Sequence, residues 1–205
     1  MAQIMSVEQL RQLLPENTGP TKLKVRDHLD EQSIAFVRRS PFLLLSTVDA
    51  DGGVEVSPKG DEPGFVHVED RNTLIFPDRP GNNLAFGHLN ILGNPNVGMI
   101  FLAPGTGETL RVSGRASLHD DADLCARLAA RGKPAKLVMK VAVTRAYFHC
   151  ARSLLRANLW KPEKWDAEPL KVSFGKIFAE ILKMDESAAP GIDQRVSAGY
   201  EPENL

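Results

Sequence analysis

Two basic residues stand at the ends of two predicted β-strands, where a turn ordinarily needs only glycine, proline, asparagine or aspartate. Lys59 belongs to the stretch Val54-Glu-Val-Ser-Pro-Lys-Gly60, and Arg79 belongs to Thr73-Leu-Ile-Phe-Pro-Asp-Arg-Pro-Gly-Asn-Asn83. A lysine and an arginine that meet at one rim can bind a phosphate group through charge-assisted hydrogen bonds. The alternative is that both side chains are solvated surface charges.

The segment after Arg79 adds backbone donors to this pattern. It leads into an apolar stretch that predicts a helix from about Asn82 to Leu92, and the first turn of a helix has unpaired amides that attract anions. If the two strand ends are neighbours, one hydroxyl, two basic side chains and two amides would converge on a single phosphate. These groups belong to Ser57, Lys59, Arg79, Asn82 and Asn83.

Length and composition narrow the possible functions. With 205 residues and 42% hydrophobic content, the chain predicts a single domain with one well-buried core. A net charge of −1 gives no global attraction to nucleic acid or to a membrane, and no stretch approaches the roughly 20 apolar residues of a bilayer-spanning helix. We therefore expect a cytoplasmic protein that binds neither nucleic acid nor membrane.

The cysteines and histidines do not form a metal-binding pattern, and we expect no metal site. Cys125 and Cys150 lack C-x-x-C spacing and are too few for a disulfide framework, which fits reduced thiols. His149 precedes Cys150 directly, but a metal needs further ligands, and a cysteine–histidine nucleophile pair needs adjacency in space. Three other histidines without ligand spacing are expected to have core or surface roles: His67, His88 and His119.

A series of short apolar strands occupies the middle of the chain, and their short connections favour antiparallel pairing in a closed or nearly closed barrel. The predicted fold is mainly β (α+β), with six or more antiparallel strands and flanking helices. Residues 1–40 supply N-terminal helices, 41–150 the barrel, and 151–205 a C-terminal helical segment and tail. The predicted strands are Phe42 to Val48, Val54 to Ser57, Gly64 to Val68, Thr73 to Phe76, Val97 to Leu102, Thr109 to Leu118 and Leu137 to Phe148. The other predicted segments are helices over Asp27 to Arg39 and Asp121 to Arg131, and a tail, Asp185 to Leu205, that is either disordered or laid along a partner subunit.

Taken in order, these stretches resemble the FMN-binding split barrel of the pyridoxamine 5′-phosphate oxidase-like superfamily, in particular its branch of FMN-dependent enzymes of unassigned substrate. The resemblance covers about Phe42 to Trp160. The motifs that carry it are Ser-Pro-Lys-Gly after an Asp-Gly turn, Asp-Arg-Pro-Gly-Asn before a helix, Asn-Pro before a strand, and Arg-Val-x-Gly-x-Ala. It implies a homodimer with two FMN molecules in grooves between the subunits.

The resemblance also implies which residues contact the flavin. The first group lies on two strands and the turn after the second: Glu55, Val56, Ser57, Pro58, Lys59, Phe76, Pro77, Asp78, Arg79, Asn82 and Asn83. A second group, Arg111 and Ser113, matches positions that reach the cofactor from the partner chain. Trp160 could stack on the flavin or a substrate ring, or could equally anchor the C-terminal segment. A basic cluster of Arg145, Arg152 and Arg156 is expected to line the second side of the groove.

The implied function is an FMN-dependent oxidoreductase that exchanges a hydride or electrons with a small molecule, with no catalytic side chain assigned. Two alternatives stay open: a flavin-storing or flavin-sensing protein without turnover, and the same barrel binding a deazaflavin or haem. The vitamin enzyme's branch has an Arg-Lys pair where this chain has Asn82-Asn83, and its C-terminal Arg-Leu-x-Pro is absent. Pyridoxamine phosphate is therefore not the expected substrate.

Overall fold

The computed structural model describes residues 3–201 of the protein. The chain divides into two compact units. The first holds the residues up to Asp78 together with Leu84–Trp160, and the second holds Arg79–Asn83 together with the chain from Lys161 onward. That these units make a single domain stays a prediction.

The first unit is built on one seven-stranded sheet in which every pairing is antiparallel. Its strands are β1 (Phe42–Val48), β2 (Val54–Gly60), β3 (His67–Asp70), β4 (Thr73–Pro77), β5 (Asn96–Leu102), β6 (Thr109–His119) and β7 (Val138–His149). They pair in the order β2-β1-β5-β6-β7-β4-β3, so β2 and β3 are the edges. With its flanking helices this sheet confirms the predicted α+β split-barrel class.

Seven α-helices flank or follow the sheet in the described part of the chain. They are α1 (Val7–Leu13), α2 (Glu31–Arg39), α3 (Phe86–Gly93), α4 (Ala122–Arg127), α5 (Arg152–Arg156), α6 (Phe174–Leu182) and α7 (Ala189–Ala198). Short 3-10 turns lie at Pro20–Lys24, Pro162–Lys164 and Glu186–Ala188. Between residues 3 and 201, no helix is both long and apolar enough to cross a membrane.

The core of the first unit follows from strand alternation, because successive side chains of a strand point to opposite faces of the sheet. In β1, Leu43 and Leu45 are buried, and their register partners on β5, Phe101 and Met99, are buried with them. The same inner face continues onto β6, β7 and β4 through Leu110, Val112, Val141, Leu74 and Phe76. The predicted apolar strands therefore supply the core.

Two helices begin later than predicted, for local reasons. Helix α2 begins at Glu31 rather than Asp27, because the Asp30 side chain accepts a hydrogen bond from the Ser33 amide at 2.8 Å and caps it. Helix α3 begins at Phe86 rather than Asn82, since Ala85 before it has a left-handed backbone with φ 56°. The predicted placement of Asn82 in the first turn of a helix was wrong.

Three further elements have bounds that differ from the predictions, and the first is β2, which runs to Gly60 rather than ending at Ser57. The third strand is His67–Asp70 rather than Gly64 to Val68, while Phe65 and Val66 enter the core from outside that strand. Helix α4 ends at Arg127, and Arg131, its predicted end, has φ 50°. A left-handed residue cannot continue a right-handed helix.

The second unit contains a helix where the sequence predicted a disordered or partner-bound tail. Asp193 of α7 accepts hydrogen bonds from the Ser173 hydroxyl at 2.6 Å and the Gly175 amide at 2.7 Å, at the start of α6. These contacts hold the pKa of Asp193 below its ordinary value. A Cβ atom at Gly175 would overlap the Ala189 carbonyl, so glycine permits the close crossing of the two helices.

Candidate cofactor site

Strand β2 presents a polar, half-buried face at the edge of the sheet. Glu55, Ser57 and Lys59 are half-buried, whereas the residues that alternate with them are exposed. Their register partners on β1 include Leu43 and Leu45, which belong to the core. The predicted hydroxyl and ammonium groups of the site therefore lie on the inner face of the sheet.

The sheet curls so that the ends of β2 and β4 meet. Strand β2 is at one edge of the hydrogen-bonding order and β4 is next to the other edge, yet Lys59 Nζ lies 2.9 Å from Asp78 Oδ1. Asp78 follows the end of β4 directly, and its amide donates to the Leu137 carbonyl at 2.9 Å. Two of the strand ends on which the predicted site depends therefore come together at one rim.

Helix α3 adds a histidine that the sequence did not suggest. His88 Nε2 lies 3.2 Å from the same Asp78 oxygen and is closed to solvent. The two atoms are in contact, although the nitrogen makes no well-aligned hydrogen bond. The sequence predicts a core or surface role for His88, and nothing in the residues around it indicates that it lies near Asp78 and Lys59.

The charge of Asp78 is stabilised by its two partners. Burial acts to raise the pKa of its carboxyl, but the contacts from His88 and Lys59 outweigh burial, so the pKa lies below its ordinary value. Asp78 is therefore ionised across the neutral range. It cancels part of the positive charge that Lys59 would otherwise present to an anion.

Because the folded-state pKa of Asp78 is depressed, its contribution to stability is present above the unfolded-state value and lost as the pH falls through the folded value. We expect Asp78→Asn to lower the free energy of unfolding by about 1–2 kcal/mol at pH 7, the range for one partly exposed charged hydrogen bond. The difference from the wild type should shrink on acidification below the ordinary carboxyl pKa of 3.8. Urea denaturation from pH 7 downward measures it.

The matched control for that experiment is Asp51→Asn in the exposed β1–β2 turn, which should leave the free energy of unfolding unchanged. Equal stability of wild type and Asp78→Asn at pH 7 would show that the contacts at Asp78 contribute nothing.

A buried hydroxyl on β1 and a side-chain amide on α3 form a hydrogen bond close to β2. Thr47 is fully buried and accepts a hydrogen bond from Asn90 Nδ2 of α3 at 3.1 Å. Helix α3 approaches closely here, since a Cβ atom at Gly87 would lie 3.5 Å from Ser57 Oγ and 3.6 Å from Thr47 Oγ1. These contacts fix α3, and with it His88, against the polar face of β2.

Other residues that were predicted to contact the flavin are buried or lie on the outer face of the sheet. Phe76 is 1% exposed and belongs to the core, and Pro77 is also buried, so the Phe76 side chain serves packing. Val56 and Pro58 point to the outer face of β2 and are exposed. The side chains of Val56 and Pro58 therefore lie on the opposite face of β2 from Lys59.

Arg79, Asn82 and Asn83 belong to the second compact unit. Asn83 has a left-handed backbone with φ 56°, and α3 starts three residues later at Phe86. The amides of Asn82 and Asn83 are therefore loop amides and not the first-turn amides that the sequence predicted. Their role in binding an anion stays a prediction.

The second predicted group lies on the opposite face from Lys59. Arg111 pairs with Ile100 of β5, and through β1 this row continues to Pro58 on the outer face of β2. Ser113 accepts a hydrogen bond from Arg145 Nη2 at 3.3 Å on that face. Within one chain, the side chains of Ser57 and Lys59 thus lie on the opposite face of the sheet from those of Arg111 and Ser113.

Trp160 is anchored by its indole nitrogen, which donates to the Thr106 carbonyl at 2.8 Å. Thr106 lies between β5 and β6, so this hydrogen bond holds the end of the first unit against that connection. The contact favours the anchoring role over stacking, although stacking on a ring stays a prediction.

Of the comparisons with known proteins, the one with family models assigns a family. A family model described as pyridoxamine 5′-phosphate oxidase matches residues 29–150, and no curated protein matches the chain. Among solved structures, HupZ of Group A Streptococcus is 19% identical, with 58% of this chain and 98% of that chain covered and a TM-score of 0.49. An FMN-binding protein from Syntrophomonas wolfei is 13% identical (58% and 87% covered, TM-score 0.45). A protein from Clostridium acetobutylicum related to general stress protein 26 is 11% identical (60% and 91%, 0.44).

At such identities and TM-scores, the solved structures carry no argument about function. The family model is different, because its match spans more than half of the 205-residue chain and includes β1 to β7. The protein therefore belongs to the pyridoxamine 5′-phosphate oxidase family.

Proposed function

We propose that the protein binds FMN and transfers a hydride or electrons between that cofactor and a small molecule. The observation that carries the proposal is the meeting of the ends of β2 and β4, through Lys59 and Asp78, in a member of a family of flavin-binding proteins. A basic side chain, a hydroxyl and a histidine are gathered there on one face. This set suits an anionic, hydrogen-bonding ligand.

The residues present fit the phosphate of a flavin nucleotide. Lys59 and the Ser57 hydroxyl can donate to phosphate oxygens, and Asp78 holds the Lys59 ammonium in place. In the proposal, Arg79 and the loop amides of Asn82 and Asn83 complete the donor set. That these three residues take part in phosphate binding stays a prediction from the sequence.

FMN, when bound, would supply hydride transfer in its own ring system. The protein's part is then to bind the phosphate, orient the ring and limit access of water. Thr47 and Asn90 contribute indirectly, because their hydrogen bond holds α3 against the polar face of β2. No side chain of the site is assigned a proton-transfer step.

The outer face of the sheet supports a homodimer. Phe42 on β1 and Val54 and Val56 on the paired strand β2 are exposed apolar side chains on this face, and exposed apolar surface is typical of an interaction site. In the proposal, the second copy supplies its Arg111 and Ser113 to the flavin, as predicted for the second group. A cytoplasmic location and a substrate other than pyridoxamine phosphate belong to the same proposal.

The absorption spectrum of the purified protein tests the cofactor. The proposal predicts flavin bands, either as isolated or after titration with FMN, and a preparation that stays colourless through the titration would remove it. A deazaflavin or haem would be recognised by its own spectrum. Stopped-flow reduction by NADH or NADPH then separates an oxidoreductase from a storage protein, because a pure binder should not be reduced at a useful rate.

A further inference from the structure

Three basic side chains gather on the outer face of β6 and β7, away from Lys59. Arg111 and Tyr147 are register partners there, and Ser113 and Arg145 are the next pair on the same face. Lys24 Nζ and Arg145 Cζ each lie 6.0 Å from the centre of the Tyr147 ring. One aromatic side chain is therefore contacted by two cations and paired in register with a third.

The position of Lys24 is set by the backbone. Arg26 forms an isolated bridge with Ala146 of β7. The Arg26 nitrogen lies 2.9 Å from the Ala146 oxygen, and the Ala146 nitrogen lies 2.8 Å from the Arg26 oxygen. This bridge fixes the end of the Pro20–Lys24 turn beside β7. Main-chain hydrogen bonds thus hold Lys24 near the cluster, in addition to the contact of its side chain with Tyr147.

No carboxylate in the described part of the chain neutralises the positive charge of this cluster. Among residues 3–201, no carboxylate lies within ion-pair distance of Lys24, Arg111 or Arg145. The Arg111 Nε atom is also closed to solvent and has no hydrogen-bond acceptor in the described structure. Buried polar atoms without a partner are rare and call for an explanation such as a bound ion.

We propose that Lys24, Arg111 and Arg145 form an anion site that takes a phosphate dianion, with the Ser113 hydroxyl as an additional donor. The charge, the fork of two guanidinium groups and the hydroxyl are the donor chemistry that phosphate oxygens accept. The site differs from the proposed flavin site at Lys59, because the sheet separates the two within one chain. Binding of inorganic phosphate at this site does not depend on the flavin proposal, whereas FMN as the source of the phosphate rests on it.

Two sources could supply the phosphate: FMN held by a second copy, or a separate phosphorylated ligand. His149 provides a local reporter, since burial and then the nearby charges of Arg111 and Lys24 lower its pKa. An anion that neutralises those charges must raise that pKa. The readout is the His149 titration midpoint by NMR, assigned with His149→Gln, in inorganic phosphate and in chloride of equal ionic strength to correct for screening.

We expect phosphate, but not chloride, to move the midpoint to higher pH. In the Lys24→Gln/Arg145→Gln double variant, phosphate affinity should fall at least about tenfold, the loss expected from removing charge-assisted contacts. The matched control Arg115→Gln, an exposed position of β6 outside the cluster, should respond like the wild type. Lys59→Ala/Arg79→Ala should also respond like the wild type, which keeps this test distinct from that of the flavin site.

FMN saturation identifies the source. If FMN alone raises the midpoint and added phosphate does nothing more, the site takes the phosphate of a flavin held by another copy. If phosphate acts on the FMN-saturated protein, the site takes a separate phosphorylated ligand. An equal response in chloride and phosphate, or a phosphate response that survives in the double variant, would overturn the proposal.

Discussion

Replacing Lys59 and Arg79 together by alanine is expected to weaken FMN binding by about 3–6 kcal/mol, because a charge-assisted contact to phosphate is worth roughly 1.5–3 kcal/mol. The Lys59 variant has a second effect. Among residues 3–201, it leaves His88 as the one remaining side chain within ion-pair distance of the Asp78 carboxylate, and a carboxylate without its lysine repels a dianion. The measurement is calorimetric titration of the flavin-free protein with FMN.

Lys140→Ala is the matched control, since Lys140 is an exposed residue of β7 and pairs with Ile75, away from the rim. Its affinity for FMN should equal that of the wild type. If the Lys59→Ala/Arg79→Ala double variant also binds FMN with unchanged affinity, neither basic side chain holds the phosphate.

Phe76→Ala is expected to lower the free energy of unfolding by about 3–5 kcal/mol, the usual range for removing a buried aromatic ring. The ring is 1% exposed and packs in the main core, so its removal leaves a cavity between the strands. The measurement is urea denaturation of the flavin-free protein, so that a change in flavin affinity does not enter.

Phe42→Ala is the comparison, because Phe42 is 37% exposed on β1 and loses less buried area on truncation. Its destabilisation should be clearly smaller than that of Phe76→Ala. A loss below about 1 kcal/mol for Phe76→Ala would mean that the ring is not a core element, and its predicted place beside the flavin would have to be reconsidered.

The position of β1 was predictable, and helix starts were not. Strand β1 lies at Phe42–Val48 as predicted, because a short, strongly apolar run between Pro41 and an Asp-Gly turn favours a strand. Helix α3 begins late since Ala85 adopts a left-handed backbone, which nothing in the residue type requires. Helix α7 was missed because Asp193 secures it through tertiary hydrogen bonds to Ser173 and Gly175.

The candidate site was predictable from the sequence only in part. Lys59 was identified as a basic residue that a turn does not require, and Asp78 only through the family resemblance; the curl of the sheet brings them to 2.9 Å. His88 was not identifiable, because its partners come from two strands whose proximity depends on the pairing order of the whole sheet. The separation of Arg111 from Lys59 likewise follows from strand register, which sequence alone does not fix.

Paired titrations of the flavin-free protein with FMN and with riboflavin test the central claim most directly, because the two ligands share the ring system and differ by the phosphate. The account predicts that FMN binds at least about a hundredfold more tightly than riboflavin, the equivalent of two charge-assisted contacts. The Lys59→Ala/Arg79→Ala variant should remove most of that difference. Equal affinities for FMN and riboflavin in the wild-type protein would contradict a phosphate site at this rim.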